Sequence, residues 1–174
     1  MEDDVESPIE LTLVDTEATD ALGVALAQAF PGAAHDGAVL YLEGELGAGK
    51  TTCARSLLRE LGVTGLIRSP SFTLVEAYRA GALTCAHVDL YRLHGPAAVE
   101  ELGLRDFMIP GCLLLIEWPE KGGQALPVAD VELTLKYAQS GRLAWVRAGT
   151  ALGRDWLHNL RIDTKLASYV PNIT

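Results

Sequence analysis

An α/β fold, with a mixed sheet between helical layers and antiparallel hairpin additions, is predicted by three features of the chain. The glycine-rich segment from Gly44 to Thr51 stands between an apolar run and a helical pattern. A second run, Cys112 to Ile116, is apolar throughout, as strands covered on both faces are. Two pairs of strand-like segments are each split by a glycine-bearing turn.

Taken in order, residues 1–8 read as a flexible tail, and Ile9 to Val14 alternates apolar and polar residues as a half-buried strand does. A helix follows, with Thr16 placed as its N-cap and Ala18, Leu22, Ala25, Leu26 and Ala29 at helical spacing, until Phe30-Pro31-Gly32 ends it. Ala38 to Leu42 is a buried strand leading into the glycine-rich loop. Beyond the loop, Cys53, Ala54, Leu57, Leu58 and Leu61 mark one face of a helix that begins near Lys50 and stops at Gly62. Thr73–Tyr78 and Leu83–Val88 form a hairpin across Arg79-Ala80-Gly81, and Ala97–Leu102 a short helix after Pro96. Val131–Tyr137 and Leu143–Arg147 pair around Gln139-Ser140-Gly141, and Arg154–Leu160 closes the domain as a last helix. The expectation is one domain over residues 9–161 and a loosely ordered tail over 162–174.

Composition narrows the function. At 174 residues and 49% hydrophobic, the chain can bury a core without metal or disulfide support. Its net charge of -9 argues against a broad basic surface for gripping nucleic acid, so any such link runs through a partner. Cys53, Cys85 and Cys112 have no paired spacing and read as free, buried thiols of a reducing cytoplasm. The acidic N-terminus has no basic-then-apolar leader pattern, and no window is long and apolar enough to span a membrane.

Gly44, Gly49, Lys50 and Thr51 satisfy G-x-x-x-x-G-K-[ST], the phosphate-binding P-loop, with Gly47 a third position lacking a side chain. Glycines let backbone N–H groups wrap a phosphate where a Cβ on the concave side would block it. The next helix aims its positive N-terminus at the same anion. Lys50 suits the β- and γ-phosphates, and the Thr51 hydroxyl suits Mg²⁺, a hard ion that prefers oxygen. A strand-loop-helix context surrounds the motif, which weighs against an incidental glycine-rich connection. The fold is therefore expected to be a P-loop NTPase-like three-layer α/β fold.

Glu117 ends the run Leu113-Leu114-Leu115-Ile116, where a carboxylate would reach the loop to bind Mg²⁺ or polarise water; the plainer reading is a surface acid at a strand end. Asp89 ends Cys85-Ala86-His87-Val88-Asp89, on the same face as His87 if the strand is regular. C-x-H-x-D can be read as a transition-metal site, but three ligands on one strand fit zinc poorly, and a second acid near the nucleotide or a surface charge fits better. Ser69, Ser71 and Thr73 flank Pro70 in a polar segment placed like a γ-phosphate switch, or like an ordinary turn. His35, His94 and His158 have no partner spacing.

Five blocks, GELGAGKTT, RSPSFTLVEAY, HVDLYRL, EELGLRDF and LIEWPEKG, in this order from Gly44 to about Gly122, resemble the TsaE family, formerly called YjeE. The resemblance implies a small bacterial ATPase needed for the threonylcarbamoyl modification of adenosine 37 in tRNAs that read ANN codons. It implies action with TsaD and TsaB, contact with tRNA only through that complex, ATP or ADP with Mg²⁺ as ligands, and weak ATPase activity alone. By position it makes Lys50, Asp89 and Glu117 catalytic, and Thr51 and Glu117 the Mg²⁺ residues. It gives nucleotide contacts to Gly44, Glu45, Leu46, Gly47, Ala48, Gly49, Lys50, Thr51 and Thr52, to Ser71 and Trp118, to Thr16 on the adenine side and to Arg142. Without the resemblance, Trp118 would read as core. Ser71 departs from the family's usual Thr and keeps the hydroxyl.

The rival from another class is a P-loop kinase of a small metabolite. It is weakened by dispersed arginines and by the lack of a long lid insertion between strand candidates. A GTPase lacks support because neither NKxD nor DxxG follows the loop.

Overall fold

The computed structural model describes residues 7–33, 36–161 and 166–169. Most of the two expected tails, residues 1–8 and 162–174, lies outside the described residues, as does His35. The elements are β1 (Ile9–Leu13), α1 (Thr16–Ala29), β2 (Ala38–Gly44), α2 (Lys50–Glu60), β3 (Val75–Ala80), β4 (Leu83–Asp89), α3 (Pro96–Glu100), β5 (Cys112–Glu117), β6 (Val131–Tyr137), β7 (Arg142–Ala148) and α4 (Ala151–Arg161). The strands form a mixed sheet in the order β1-β7-β6-β2-β5-β4-β3. The inner four, β6, β2, β5 and β4, run parallel, and antiparallel partners extend both margins.

Side-chain alternation explains why the inner strands are apolar throughout. In β5, Leu113 and Leu115 join a core under the helical layer while Leu114 and Ile116 join a second core on the opposite face, and all four are fully buried. The first core takes its helical residues from α1, α2 and α4; Leu22, Leu26, Leu57, Leu58, Trp156 and Leu157 are buried there. The second takes Val99 of α3 and Leu104 from a short 3-10 helix. Trp156 brings its polar end inside without penalty, because its Nε1 donates to the Leu26 carbonyl at 2.8 Å.

Local chemistry moves some boundaries. Asp15, not Thr16, caps α1: its Oδ1 accepts from the Ala18 amide at 2.8 Å, and Thr16 is the first helical residue. The β3–β4 ladder continues to Ala80 opposite Leu83, so Arg79 and Ala80 belong to the strand and the turn is Gly81-Ala82. Gly81 supplies the left-handed conformation there, with φ of 62°. β3 also starts two residues later than expected, since Leu74 donates its amide to the Pro70 carbonyl in a turn. α4 starts at Ala151 because the Thr150 hydroxyl accepts the Gly153 amide at 3.1 Å. The 3-10 turns Leu104–Phe107, Pro119–Lys121, Gly123–Ala125 and Ala167–Tyr169 are too short to leave a periodic signal.

Candidate functional site

β2 lies between β6 and β5 and runs directly into the loop that precedes α2. The register sets Leu42 opposite Glu117, and Glu117 opposite Asp89 on β4. Counting in twos from the buried Cys85 and Leu113, both acids face the side of the sheet that α2 covers. The strand ends, the loop and the first turn of α2 therefore converge on one cleft of about 330 Å³.

Lys50, Thr51, Asp89, Glu117 and Trp118 all line this cleft, as do Leu46, Gly47, Gly49, Thr52 and Ser71. Glu117 is 2% exposed, which removes the reading of a surface acid. The Thr51 hydroxyl lies 2.9 Å from each oxygen of the Glu117 carboxylate. Asp89 is also buried, and accepts from the Ser69 hydroxyl at 2.9 Å and the Tyr91 amide at 3.0 Å. The buried Lys50 ammonium donates to the carbonyls of Gly44 and Glu45, at 2.6 and 2.8 Å, and sits 3.9 Å from the centre of the Trp118 ring. Burial pulls its pKa down, opposed by Glu117, Glu120 and Asp89. Trp118 reaches this position from a left-handed backbone with φ of 61°, costly for a bulky residue and placed immediately after Glu117.

The loop glycines meet a constraint that sequence reasoning did not contain. A Cβ on Gly44 would lie 2.3 Å from the Leu135 carbonyl oxygen of β6, and one on Gly47 2.7 Å from the Tyr137 hydroxyl. The scaffold behind the loop excludes side chains, in addition to any demand from a ligand in front. Arg142 belongs to this scaffold: it donates to the carbonyls of Ala48 at 3.1 Å and Gly47 at 3.2 Å, and stacks over Tyr137. Tyr137 in turn donates to the Leu46 carbonyl at 2.9 Å. Glu45 and Gly44 face a neighbouring groove together with Glu43 and Glu120. Thr16 is exposed and does not line the cleft; from the same helix, the Thr19 methyl is what lies against Gly49.

Sequence reasoning missed two participants, Arg92 and Tyr91, and the partner of a third, His87. Arg92 lines the cleft and stacks on the exposed Phe72 ring at 4.3 Å, joining the Ser69–Thr73 segment to the end of β4. Tyr91 packs on Trp118 with ring centres 4.9 Å apart. His87 turns to Glu117 rather than to a metal cluster: its Nε2 lies 2.7 Å from Glu117 Oε1, and no group of three or more metal-ligating side chains exists among the described residues. The period of two placed His87 with Asp89, but only the β4–β5 register brings it to Glu117.

The glycine-rich loop thus carries a hydroxyl and a carboxylate at its mouth. The family model for the threonylcarbamoyl adenosine biosynthesis protein TsaE matches residues 13–144. The chain belongs to the TsaE family. Among its relatives, the Haemophilus influenzae tRNA threonylcarbamoyladenosine biosynthesis protein TsaE is 42% identical over 67% of this chain and 74% of its own length. The Nostoc protein of that name is 36% identical over 79% of this chain and 83% of its own. The crystal structure of Bacillus subtilis YdiB superposes with a TM-score of 0.71 at 30% identity, covering 88% of this chain and 94% of that one. The TsaE match ends at residue 144, inside β7, so α4 lies outside the matched region. Among the described residues, no helix is long and apolar enough to cross a membrane.

The oxygen donors fit magnesium. Thr51 and Glu117 offer three hard oxygens, the hydroxyl 2.9 Å from each carboxylate oxygen, and Mg²⁺ characteristically takes one or two protein ligands and completes its shell with phosphates and water.

Proposed function

We propose that this chain is the ATP-binding and ATP-hydrolysing component of tRNA threonylcarbamoyladenosine formation. In this reading it acts in the cytoplasm with TsaD and TsaB on adenosine 37 of tRNAs that read ANN codons, and nucleotide turnover resets the assembly for further rounds. Contact with tRNA runs through those partners. The observation that carries the proposal is the convergence of Lys50, Thr51 and Glu117 at the ends of β2 and β5, in a chain of this family.

The loop from Gly44 to Thr52 cradles the phosphates of ATP or ADP with its backbone amides, and the N-terminus of α2 adds its dipole. Lys50 exchanges the Gly44 and Glu45 carbonyls for phosphate oxygens, and Trp118 packs beside the bound nucleotide. Thr51 and Glu117 would hold Mg²⁺, which supplies neutralising charge on the transferring phosphoryl group. Asp89, fixed by Ser69 and the Tyr91 amide, orients the attacking water, and Ser71 reports the γ-phosphate to its loop. Thr16 is assigned to the adenine side, and Arg142 braces the loop from behind. The free, buried thiols accord with a reducing compartment. Leu46 and Phe72 stand exposed around the cleft, which supports a protein partner closing over the nucleotide.

The test is reconstitution of tRNA modification with and without this chain, counting turnovers and ATP consumed. Lys50→Ala and Glu117→Gln are expected to abolish partner-stimulated hydrolysis, and Asp89→Asn to lower it by about 10²-fold or more, with folding retained. Undiminished ATP consumption in all three variants would overturn the proposal. So would partner-free transfer of the γ-phosphate to a small metabolite, the kinase alternative.

A further inference from the structure

We infer that His87 is a positioning residue for Glu117, holding that carboxylate in place so that it and Thr51 present a preformed magnesium site. The inference rests on the nucleotide-and-magnesium reading of the cleft and adds a residue to it. His87 sits in β4 with no solvent exposure, between Ala86 and Val88, which are both fully buried. A Leu or Phe would fill such a site with no polar atom to satisfy. Instead His87 Nε2 lies 2.7 Å from Glu117 Oε1, while Nδ1 is buried with no hydrogen-bond partner among the described residues. An ionised carboxylate can only accept, so an Nε2–H faces it, and Nδ1 is left without a partner among the described residues. Leaving a buried nitrogen unsatisfied is unfavourable, so the arrangement makes sense through what the other nitrogen does.

That other nitrogen restrains the cleft acid. Among the described residues, Glu117 has two hydrogen-bonding side chains around it, Thr51 and His87. A cation ligated through a lone pair of the Thr51 oxygen reorients the single hydroxyl proton that now serves both Glu117 oxygens. His87 lies behind the carboxylate on the neighbouring strand, does not line the cleft, and is undisturbed by such a ligand. It therefore fixes the rotamer of Glu117 whether the cleft is filled or empty, as outer partners of metal ligands commonly do.

The experiment is calorimetric ADP binding to the full chain across a magnesium series, which reads apparent Mg²⁺ affinity without turnover. His87→Leu, confirmed as folded by circular dichroism, is expected to weaken Mg²⁺ by about 10- to 100-fold. His87→Gln, which keeps an N–H donor at similar reach, is expected to restore it to within about threefold of the parent, since a shared hydrogen-bond donor is what it retains. In a Glu117→Gln background, His87→Leu is expected to add less than about threefold, because the two act as one unit. An equal loss in both backgrounds, or a folded His87→Leu protein with parental Mg²⁺ dependence, would overturn the inference; should His87→Leu not fold, a folded His87→Gln protein with Mg²⁺ affinity reduced about tenfold or more does so as well. If the parent chain binds ADP identically with and without magnesium, the magnesium reading itself fails and this inference falls with it.

Discussion

Arg142 shows how a loop can be held by a residue distant from it in sequence. Its guanidinium donates to the loop carbonyls of Gly47 and Ala48, far away along the chain, and to its own neighbour Gly141 at 2.9 Å, so it orders the backbone of the phosphate loop. Removing it frees the loop in the unliganded protein, and binding must then supply the lost order. Arg142→Ala is expected to weaken ADP binding by about tenfold, or ~1.4 kcal/mol, measurable by calorimetry. An unchanged affinity would show that Tyr137 and the glycines hold the loop alone. Lys50 illustrates the complementary point: its place in the G-x-x-x-x-G-K-[ST] motif was legible, but its bonds to Gly44 and Glu45 depend on where the loop carbonyls lie in space.

At the level of elements, the close crossing of α1 and α2 turns on Gly23. A Cβ there would lie 2.4 Å from the Cys53 carbonyl oxygen and 2.9 Å from the Ser56 Cβ. Helix propensity alone favours alanine over glycine by about 1 kcal/mol, while forcing volume into a packed contact costs about 1–3 kcal/mol. The contact is with backbone, so the second effect wins: Gly23→Ala is expected to destabilise the protein in urea denaturation, and a gain in stability would refute the close approach. Helix α2 also carries a pH signature. Burial, then Asp20 and Glu117, pushes the Cys53 thiol from 9.0 up to about 12, and burial, then Cys112, does the same to Cys85 on β4. Because the folded pKa exceeds the unfolded one, this stability is fully present below about pH 9 and is lost as pH rises toward about 12. The melting temperature should fall across that window and fall less in Cys53→Ala; a flat profile would contradict the burial of the thiol.

For the molecule as a whole, the net charge of -9 predicts that the isolated chain does not grip tRNA. In a gel-shift titration at about 0.15 M salt, near physiological ionic strength, no complex is expected below micromolar protein. Tight, salt-sensitive binding by the chain alone would mean that a local basic surface outweighs the overall charge.

The loop, its strand and helix, the two hairpins and the acid ending each apolar run were legible in the chain itself. Each is encoded by neighbours in sequence: glycine spacing, alternation by two, or recurrence near every third and fourth residue. Strand order and register were not, because residues that pair across a sheet can be far apart along the chain. That is why the tertiary structure alone could bring His87 to Glu117, set Thr51 against both of its oxygens, place Arg142 behind the loop and leave Thr16 at the surface. Identity was local and contact was not: the chain named the chemical groups of the cleft, and folding decided which of them meet.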